Sequence, residues 1–252
     1  MGTDRPIVLS IAGFDPSAGA GILADIKTFE QHKVYGLGIC TAQTIQTENH
    51  FFSARWEREV DILQSIDKML SHYKVSTVKI GIVESIERLG NIVSFIHQKN
   101  QAIRIVIDTV IKSSSGFDFW KEKLNEAMLQ SLLLKTFLIT PNYNEVVQLT
   151  TAADAKTAAQ QLSAYCNVLL KGGHNIRETG VDYLYLKNGI VEKLTAGKKV
   201  VPAKHGSGCV LSAAVTANLA HGNDLVTACG NAKEYTEQFL NSNTSLLGYH
   251  HV

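Results

Sequence analysis

Hydrophobic and polar positions alternate with two different periods along this chain. Short apolar runs rich in β-branched residues are typical of buried parallel strands, whereas apolar residues repeated every three to four positions predict helices. The apolar runs predict strands over residues 5–14, 36–47, 77–83, 103–110, 137–140 and 168–171. The helical repeats lie between and after them, over residues 22–33, 57–72, 85–98, 117–134, 142–149 and 153–165.

A different pattern follows in the last third of the chain. Residues 181–186 and 190–195 flank Asn188-Gly189, a pair that predicts an antiparallel hairpin closed by a two-residue type I′ turn. Val200 and Val201 predict one more short strand, and residues 225–240 a final helix. Strands that alternate with helices form right-handed βαβ units. We therefore predict an α/β protein, a three-layer α/β/α sandwich with a mostly parallel central sheet and a small antiparallel hairpin.

A glycine-rich stretch precedes a helix made of small and apolar residues. Residues 210–220 repeat at helical spacing without proline, so they predict a buried helix. Gly206, Ser207, Gly208 and Cys209 form its first turn and are called the anion cradle below. Free N–H groups and aligned peptide dipoles favour negative charge at such a turn, and glycines let a large anion approach the backbone. The same positive end predicts an easily formed Cys209 thiolate, unless Cys209 is merely a small buried residue.

Composition and charge exclude several functional classes. The chain has 252 residues, 45% of them apolar, and a net charge of +1, which fits one domain over residues 1–252. The balanced charge argues against a nucleic-acid or anionic-membrane partner. Without a run of about 18 apolar residues or a signal-peptide pattern, we expect a cytoplasmic protein. The four cysteines lie far apart with no CxxC spacing, so neither a zinc site nor a disulfide framework is expected.

Polar residues and glycines cluster after the predicted strands. Ligands of open parallel sheets bind beyond the carboxyl ends of the strands, so these residues are predicted to share one site. They are residues 13–21, Gln46, Gly81, Ile82, Asp108, Asn142, Glu145, residues 171–174 and the anion cradle. The site is therefore expected at that edge of the sheet.

Three local motifs admit more than one interpretation. Residues 19–24 fit a G-x-G-x-x-A dinucleotide motif, but the glycines lie too far from the strand end and no acidic residue ends the second strand, which disfavours a dehydrogenase. Asn142 and Glu145 could hold hydrated Mg²⁺ beside a polyphosphate or form a helix capping box. Lys171 could reach phosphate oxygens or be a solvated strand-end lysine. No G-x-x-x-x-G-K-[ST] phosphate loop is present.

Taken together, these segments resemble a known family. The specific ones are Ser-Ile-Ala-Gly-Phe-Asp-Pro-Ser-Ala-Gly-Ala-Gly at residues 10–21 and His-Gly-Ser-Gly-Cys at residues 205–209. Further matches are residues 22–29, 34–36, Thr41-Ala42 with Gln46, 79–81, 108–110, 139–142 with Glu145, and 170–174. The chain is similar, nearly from end to end, to the hydroxymethylpyrimidine/phosphomethylpyrimidine kinases of thiamine biosynthesis, which belong to the ribokinase-like superfamily.

The resemblance implies an enzyme that phosphorylates 4-amino-5-hydroxymethyl-2-methylpyrimidine and then its monophosphate, with ATP as co-substrate and Mg²⁺ as cofactor. It implies a pyrimidine pocket in which Gln46 hydrogen-bonds the ring and which also contains Gly13, Asp25, Ile82 and Val110. The nucleotide is expected to contact Asp108, Asn142, Glu145, Lys171 and Gly173, with Asp108 and Glu145 at the metal. The anion cradle would neutralise the transferred phosphoryl group, with Cys209 as base where most relatives carry Asp. A homodimer is also implied.

Several positions depart from the family's pattern. Ile82 stands where Met is common, Lys204 where Thr is usual, and residues 47–50 are unlike the usual Asn-Thr. Ser114 stands where Lys is frequent, and Lys112 is the nearest lysine that could replace it. These departures leave the substrate preference open. A pyridoxal or pyridoxine kinase of the same fold and a catalytically silent small-molecule sensor remain alternatives.

Overall fold

The chain folds around one large sheet. The computed structural model describes residues 5–112, 116, 118–120, 125–175, 178–195, 197 and 202–250. The strands in these residues are β1 Ile7–Phe14, β2 Tyr35–Gln46, β3 Phe51–Trp56, β4 Val75–Ile80, β5 Arg104–Ile107, β6 Leu138–Ile139, β7 Asn167–Leu170, β8 Asp182–Tyr185 and β9 Val191–Leu194. Their order across the sheet is β3-β2-β1-β4-β5-β6-β7-β8-β9.

The central strands of the sheet run in one direction. From β2 through β7, each neighbouring pair is parallel. β3 at one end, and β8 and β9 at the other, pair antiparallel. The predicted mostly parallel sheet with a small hairpin is therefore confirmed, and the carboxyl ends of the parallel strands share one edge.

Helices cover both faces of the sheet. Those of the described residues are α1 Gly21–Gln31, α2 Glu59–His72, α3 Ile86–Lys99, α4 Glu126–Leu133, α5 Tyr143–Val146, α6 Ala155–Leu162, α7 Ser207–Ala220 and α8 Leu225–Leu240. Ile105 and Ile107 of β5 pack with α2, α3, α4 and α6, whereas Val106 between them packs with α7 and α8. Because successive strand residues point to opposite faces, this alternation confirms the three predicted layers. None of the described helices has the length and apolar composition that crossing a lipid bilayer requires.

Capping side chains decide where several helices begin. Asn125 accepts hydrogen bonds from the main-chain N–H groups of Ala127 and Met128 and so starts α4. The helix predicted over residues 117–134 is therefore wrong at residues 118–120, which are not helical, and α4 begins at Glu126. Just before it, Trp120 Nε1 donates to the carbonyl of Val83, and the chain at residue 118 forms an isolated bridge instead of a helix.

Two features of the sheet differ from the sequence prediction. The hydrophobic pattern does not predict β3, because only Phe51 of its residues is buried and the strand has no apolar run. The type I′ turn is wrong: Leu186 N–H donates to the carbonyl of Ile190 across a loop in which only Gly189 has a positive φ, at 88°. A type I′ turn needs two such residues. Val200 and Val201 lie outside the described residues.

The loop between β1 and α1 contains a strained residue. Ala18 has a φ of 56°, a region that costs a residue with a Cβ atom about 1 kcal/mol. We expect Ala18→Gly to raise the free energy of unfolding by roughly 0.5–1 kcal/mol in a urea titration. Ala20→Gly is the matched control, because Ala20 has a φ of −133° that glycine does not relieve. Equal stability of Ala18→Gly and the unmodified protein would contradict the strain.

Candidate active site

The anion cradle forms the start of α7, as predicted. Gly206 caps the helix with a φ of 76°, and a Cβ atom there would lie 1.9 Å from the carbonyl oxygen of Gly19, so only glycine fits. Among the described residues, the main-chain N–H groups of Ser207, Gly208 and Cys209 have no acceptor. The first turn of α7 therefore offers free donors to an anion.

An ion pair lies beside the cradle. A Cβ atom on Gly208 would lie 3.3 Å from Lys171 Nζ and 3.8 Å from Asp108 Oδ2. Lys171, after β7, donates to Asp108 Oδ1 at 2.8 Å, and Thr140, after β6, donates to the same oxygen at 3.2 Å. Three neighbouring strand ends thus meet the start of α7. The alternative of a solvated Lys171 is wrong, because its side chain is only 14% exposed.

This corner carries fixed charges and one unpaired oxygen. Burial opposes ionisation of Asp108, but Lys171 and Lys79 outweigh it and hold the pKa of Asp108 below its usual value. Burial also opposes protonation of Lys171, yet Asp108 and Glu145 raise its pKa. Oδ2 of Asp108 is buried and has no hydrogen-bond partner among the described residues. Because Mg²⁺ prefers carboxylate oxygens, this atom fits a metal held between protein and phosphate.

Asn142 and Glu145 form the capping box that was one of their two interpretations. Asn142 Oδ1 accepts from the N–H groups of Asn144 and Glu145, and Glu145 Oε2 accepts from the N–H of Asn142 at 2.8 Å. Burial raises the pKa of Glu145, and the nearby Asp108 carboxylate adds to the rise while Lys171 opposes it. The cap therefore holds Glu145 in the same charged corner, where a metal would favour its ionised form.

The thiol of Cys209 does not ionise easily. Burial raises the pKa of Cys209 to about 11, against the opposing charge of Lys79 and a hydrogen bond from the N–H of Gly21. The carboxylates of Asp108 and Asp25 add to the rise. The predicted easily formed thiolate is therefore wrong, because burial and two nearby carboxylates raise the pKa of Cys209 above its usual value.

Asp25 and Lys79 form an ion pair in the core near this thiol. Lys79 Nζ lies 2.6 Å from Asp25 Oδ1 and 2.8 Å from Oδ2, and Ser10 Oγ donates to Oδ2 at 2.6 Å. Both charged side chains are 0% exposed. Burial raises the pKa of Asp25 and alone would lower that of Lys79, but the Asp25 carboxylate raises the pKa of Lys79, which favours the charged pair. Lys79 and Ser10 thus bind the Asp25 carboxylate, and the place of Asp25 in the pyrimidine pocket stays a prediction.

The other predicted pocket residues lie on β1, β2 and the segments after β4 and β5. Gly13 and Ile82 are in direct contact, because a Cβ atom on Gly13 would lie 2.4 Å from Ile82 Cδ1. Gln46 Nε2 donates to Thr44 Oγ1 at 2.9 Å at the end of β2. Val110 is half-buried, two residues beyond Asp108. Gly13 leaves space that Ile82 fills, so a larger residue at position 13 would displace the Ile82 side chain.

The remaining predicted residues lie farther from these contacts. Gly173 is exposed within a short 3₁₀ turn after Lys171. Lys112 pairs with Asp118 at 2.9 Å, and both side chains are about half exposed. Ser114 lies outside the described residues. In the supposed dinucleotide motif, Gly19 packs against the ring of His205 and Gly21 donates to Cys209, so these glycines serve the anion cradle.

Sequence reasoning gave no individual role to two buried side chains, Asp15 and Lys79, that hold the site together. Asp15 accepts from His205 Nε2 at 2.9 Å and from the N–H groups of Ser17 and Ala20. Burial opposes its ionisation, but these bonds lower the pKa of Asp15 overall. The role of Lys79 could have been inferred from the sequence. A lysine inside an apolar strand indicates a buried acidic partner, although the sequence does not show which residue that partner is.

A separate cavity lies at the opposite edge of the sheet. It measures about 540 Å³ and is lined by residues such as Tyr73, Lys74 and Asn100, which flank the amino ends of β4 and β5. None of the predicted site residues lines it. The free amides and the ion pair instead make the carboxyl edge the candidate site.

Comparisons with known proteins agree with this geometry. Residues 15–252 match the family described as phosphomethylpyrimidine kinase. The hydroxymethylpyrimidine/phosphomethylpyrimidine kinase of Rhizobium meliloti is 34% identical over 237 residues, 91% of this chain and 88% of the relative. The enzyme of that name from Escherichia coli is 33% identical over 217 residues, 83% of this chain and 81% of the relative.

Solved structures give the same result. A phosphomethylpyrimidine kinase from Clostridium difficile superposes with a TM-score of 0.78 at 31% identity, over 93% of this chain and 99% of that one. The pyridoxal kinase of Staphylococcus aureus in complex with AMP-PCP and pyridoxal gives a TM-score of 0.81 at 26% identity, over 97% of this chain and 92% of that one. The predicted ribokinase-like fold is thereby confirmed, and the chain belongs to the phosphomethylpyrimidine kinase family.

Proposed function

We propose that this protein is an ATP-dependent kinase of thiamine biosynthesis that phosphorylates 4-amino-5-hydroxymethyl-2-methylpyrimidine and then the resulting monophosphate. The observation that carries the proposal is the meeting of the free amides of the anion cradle with the Lys171–Asp108 pair, where Lys171 Nζ lies 3.3 Å from the Cβ position of Gly208. A transferring phosphoryl group needs donors and a cation at one point. The names of the relatives support the choice of substrate.

In the first step the hydroxymethyl oxygen of the pyrimidine attacks the γ-phosphorus of ATP. The new oxygen–phosphorus bond forms as the bond to the β-phosphate oxygen breaks, and ADP leaves. The amides of Ser207, Gly208 and Cys209 would donate to the transferred group, and Lys171 would balance its charge. Because the transition state is loose, positioning and electrostatics supply most of the acceleration.

The proton of the attacking hydroxyl needs an acceptor, and Cys209 is the candidate. A pKa of about 11 leaves few of its thiols ionised at neutral pH. Only a small fraction of Cys209 is therefore present as the thiolate base. A loose transition state needs little help from a base, so this fraction is sufficient. In the second step the acceptor is a phosphate oxygen without a proton, so no base is needed. One site can thus catalyse both phosphorylations.

A divalent cation fits the charged corner. Among the described residues, Asp108 has a buried oxygen without a hydrogen-bond partner. Glu145 lies close to it, because Asp108 and Glu145 both raise the pKa of Lys171. We assign Asp108 and Glu145 as residues that would hold Mg²⁺, with Asn142 and Gly173 near the nucleotide. When bound, the ion neutralises charge on the phosphate oxygens.

A coupled assay for ADP tests the proposal. Purified protein, Mg²⁺, ATP and the hydroxymethylpyrimidine are expected to give ADP, with mass spectrometry showing the monophosphate and then the diphosphate. Absence of turnover with both the alcohol and its monophosphate would refute the assignment. Binding of the pyrimidine without consumption of ATP would instead favour a silent sensor.

A pyridoxal kinase is the second candidate. Solved pyridoxal kinases from Bacillus subtilis and Staphylococcus aureus superpose with TM-scores of 0.78 and 0.81 at 30% and 26% identity. Pyridoxal also carries a hydroxymethyl group on an aromatic ring. Comparison of kcat/KM for the two acceptors decides between them, and a higher value for pyridoxal would reverse our assignment.

Replacing Gln46 is expected to weaken binding of the pyrimidine. We propose that its side-chain amide pairs with polar groups of the ring, so Gln46→Ala should raise the KM for the pyrimidine about tenfold, the cost of an unpaired buried polar group. The KM for ATP should change little. Gln43→Ala is the matched control, since Gln43 lies on the same strand but is exposed. An unchanged pyrimidine KM in Gln46→Ala would show that the pocket lies elsewhere.

We also propose that residues 1–252 act as one catalytic domain in a cytoplasmic homodimer. At the β3 end of the sheet, Phe52 is 58% and Ile45 65% exposed, and apolar side chains beside an edge strand favour pairing with another copy. Light scattering would measure the mass directly, and a single-chain mass at micromolar concentration would contradict the dimer.

A further inference from the structure

Lys204, the residue before the cradle motif, is a buried lysine. It is only 6% exposed, yet it forms no ion pair among the described residues. Its ammonium group instead donates to the carbonyl of Asn243 at 2.6 Å, to Asn243 Oδ1 at 3.1 Å and to the carbonyl of Ser245. A buried cation needs such acceptors, because without them its desolvation is uncompensated. Lys204 therefore ties the chain before α7 to residues 243–247, called the 243–247 segment below.

The 243–247 segment is itself a compact turn. Asn243 Oδ1 accepts from the N–H of Ser245 at 2.8 Å, and Asn243 Nδ2 donates to the carbonyl of Leu247 at 2.9 Å. The carbonyl of Leu246 accepts from the N–H of His205 at 2.9 Å. Two adjacent residues, Lys204 and His205, are thus bound to the same segment immediately before the anion cradle.

The same segment reaches the loop on the other side of the site. A Cβ atom on Gly19 would lie 2.8 Å from Leu247 Cδ2 and 2.6 Å from the ring of His205. The ring of His205 in turn bonds to Asp15, and the carbonyl of Gly19 contacts Gly206. The loop before α1, the start of α7 and the 243–247 segment therefore pack against one another. The free amides of residues 207–209 follow this packed region directly in the chain.

We propose that Lys204 is a positioning residue for phosphoryl transfer, which holds the anion cradle in place through the 243–247 segment. This inference rests on the proposed kinase function. Lys204 does not touch the reacting atoms, because its ammonium group is occupied by the three oxygens of Asn243 and Ser245. It fixes the backbone from which the donors of Ser207, Gly208 and Cys209 project. A displacement of about 1 Å in such donors can cost as much as 10²-fold in rate.

Lys204→Met tests the proposal, since it keeps the length of the side chain and removes its three donors. We expect kcat to fall about tenfold or more in both phosphorylations, with the KM for ATP within about threefold, because the lost alignment matters most in the transition state. Lys204→Arg, which restores charged donors, should recover most of the rate. Asn243→Ala should reproduce part of the loss. Lys135→Met is the matched control, because Lys135 donates to Ser94 away from the site.

Hydrogen exchange supplies a readout independent of activity. In Lys204→Met the hydrogen-bonded amides of His205 and Val210 should exchange faster, whereas those of β5 and α3 should match the unmodified protein. Normal kcat per folded molecule in Lys204→Met, or unchanged exchange at His205 and Val210, would overturn the proposal. Uniformly faster exchange would also overturn it, since that shows a general loss of stability. If Lys204→Met does not fold, Asn243→Ala decides by the same criteria. Inactivity of the unmodified protein would contradict the kinase function, while the exchange comparison would still test the coupling.

Discussion

Lys171→Met is expected to lower kcat/KM by roughly 10²- to 10³-fold in both phosphorylations, the scale of losing one preorganised electrostatic partner. Lys171 Nζ lies beside the first turn of α7, 3.3 Å from the Cβ position of Gly208. Charge on the transferred phosphoryl group is present in both steps, so both should suffer alike. Steady-state kinetics with the alcohol and with the monophosphate as acceptors measure the two effects separately.

Stability must be separated from chemistry in this variant. Lys171→Met leaves the carboxylate of Asp108 without its 2.8 Å partner; an unpaired buried charge costs about 3–5 kcal/mol, and Lys79 and Thr140 offset part of that cost here. The double variant Lys171→Met/Asp108→Asn removes both charges and should unfold at a higher urea concentration than the single variant, yet remain inactive. Recovery of activity in the double variant would show that Lys171 only neutralises Asp108.

Cys209→Ala should lower the first phosphorylation by about 10²-fold and the second by less than about threefold, because only the first acceptor has a proton to lose. Its pH dependence follows from the raised pKa. Below a pKa of about 11, the thiolate fraction grows about tenfold for each pH unit, so kcat/KM for the first step should climb from pH 7 to 9 without a plateau. The climb should be missing in Cys209→Ala and in the second step.

Cys229→Ala is the control for this experiment, since Cys229 is buried in α8 away from the site. It should keep the pH dependence of the unmodified protein. An equal loss in both steps for Cys209→Ala would mean that the thiol only packs at the start of α7. A flat pH profile in the unmodified protein would exclude the thiolate as the base.

The sequence was sufficient for most of the sheet because its central strands are buried on both faces. The sequence of β1 is an almost continuous apolar run. Such a run is typical of a strand that helices cover on both faces of a parallel sheet. β3 is half exposed and pairs only along one side, so its residues carry no comparable pattern. The hairpin was recognised from Asn188-Gly189, but the number of loop residues depends on the register of β8 with β9, which the dipeptide does not fix.

For the site, the sequence located residues better than it described their environment. The ends of consecutive strands identify Asp108 and Lys171 as neighbours, because the topology brings those ends together. The pKa of Cys209 was wrongly predicted since the local helix dipole is visible in sequence, whereas the carboxylates of Asp25 and Asp108 approach only in the folded protein. The partners of Lys204 lie about 40 residues away in sequence, and no pattern in either segment indicates them.

The burial of α7 has a consequence for the energy of the reaction. From Val210 to Asn218 every residue of this helix is buried, so neighbouring elements restrain it on all sides. Its peptide groups have no room to rotate as negative charge builds on a phosphoryl oxygen. Water molecules would have to turn toward that charge in every catalytic cycle, at a free-energy cost each time. In the proposed phosphoryl transfer this orientation is completed once, while the chain folds, and each later turnover uses dipoles that already point toward the charge.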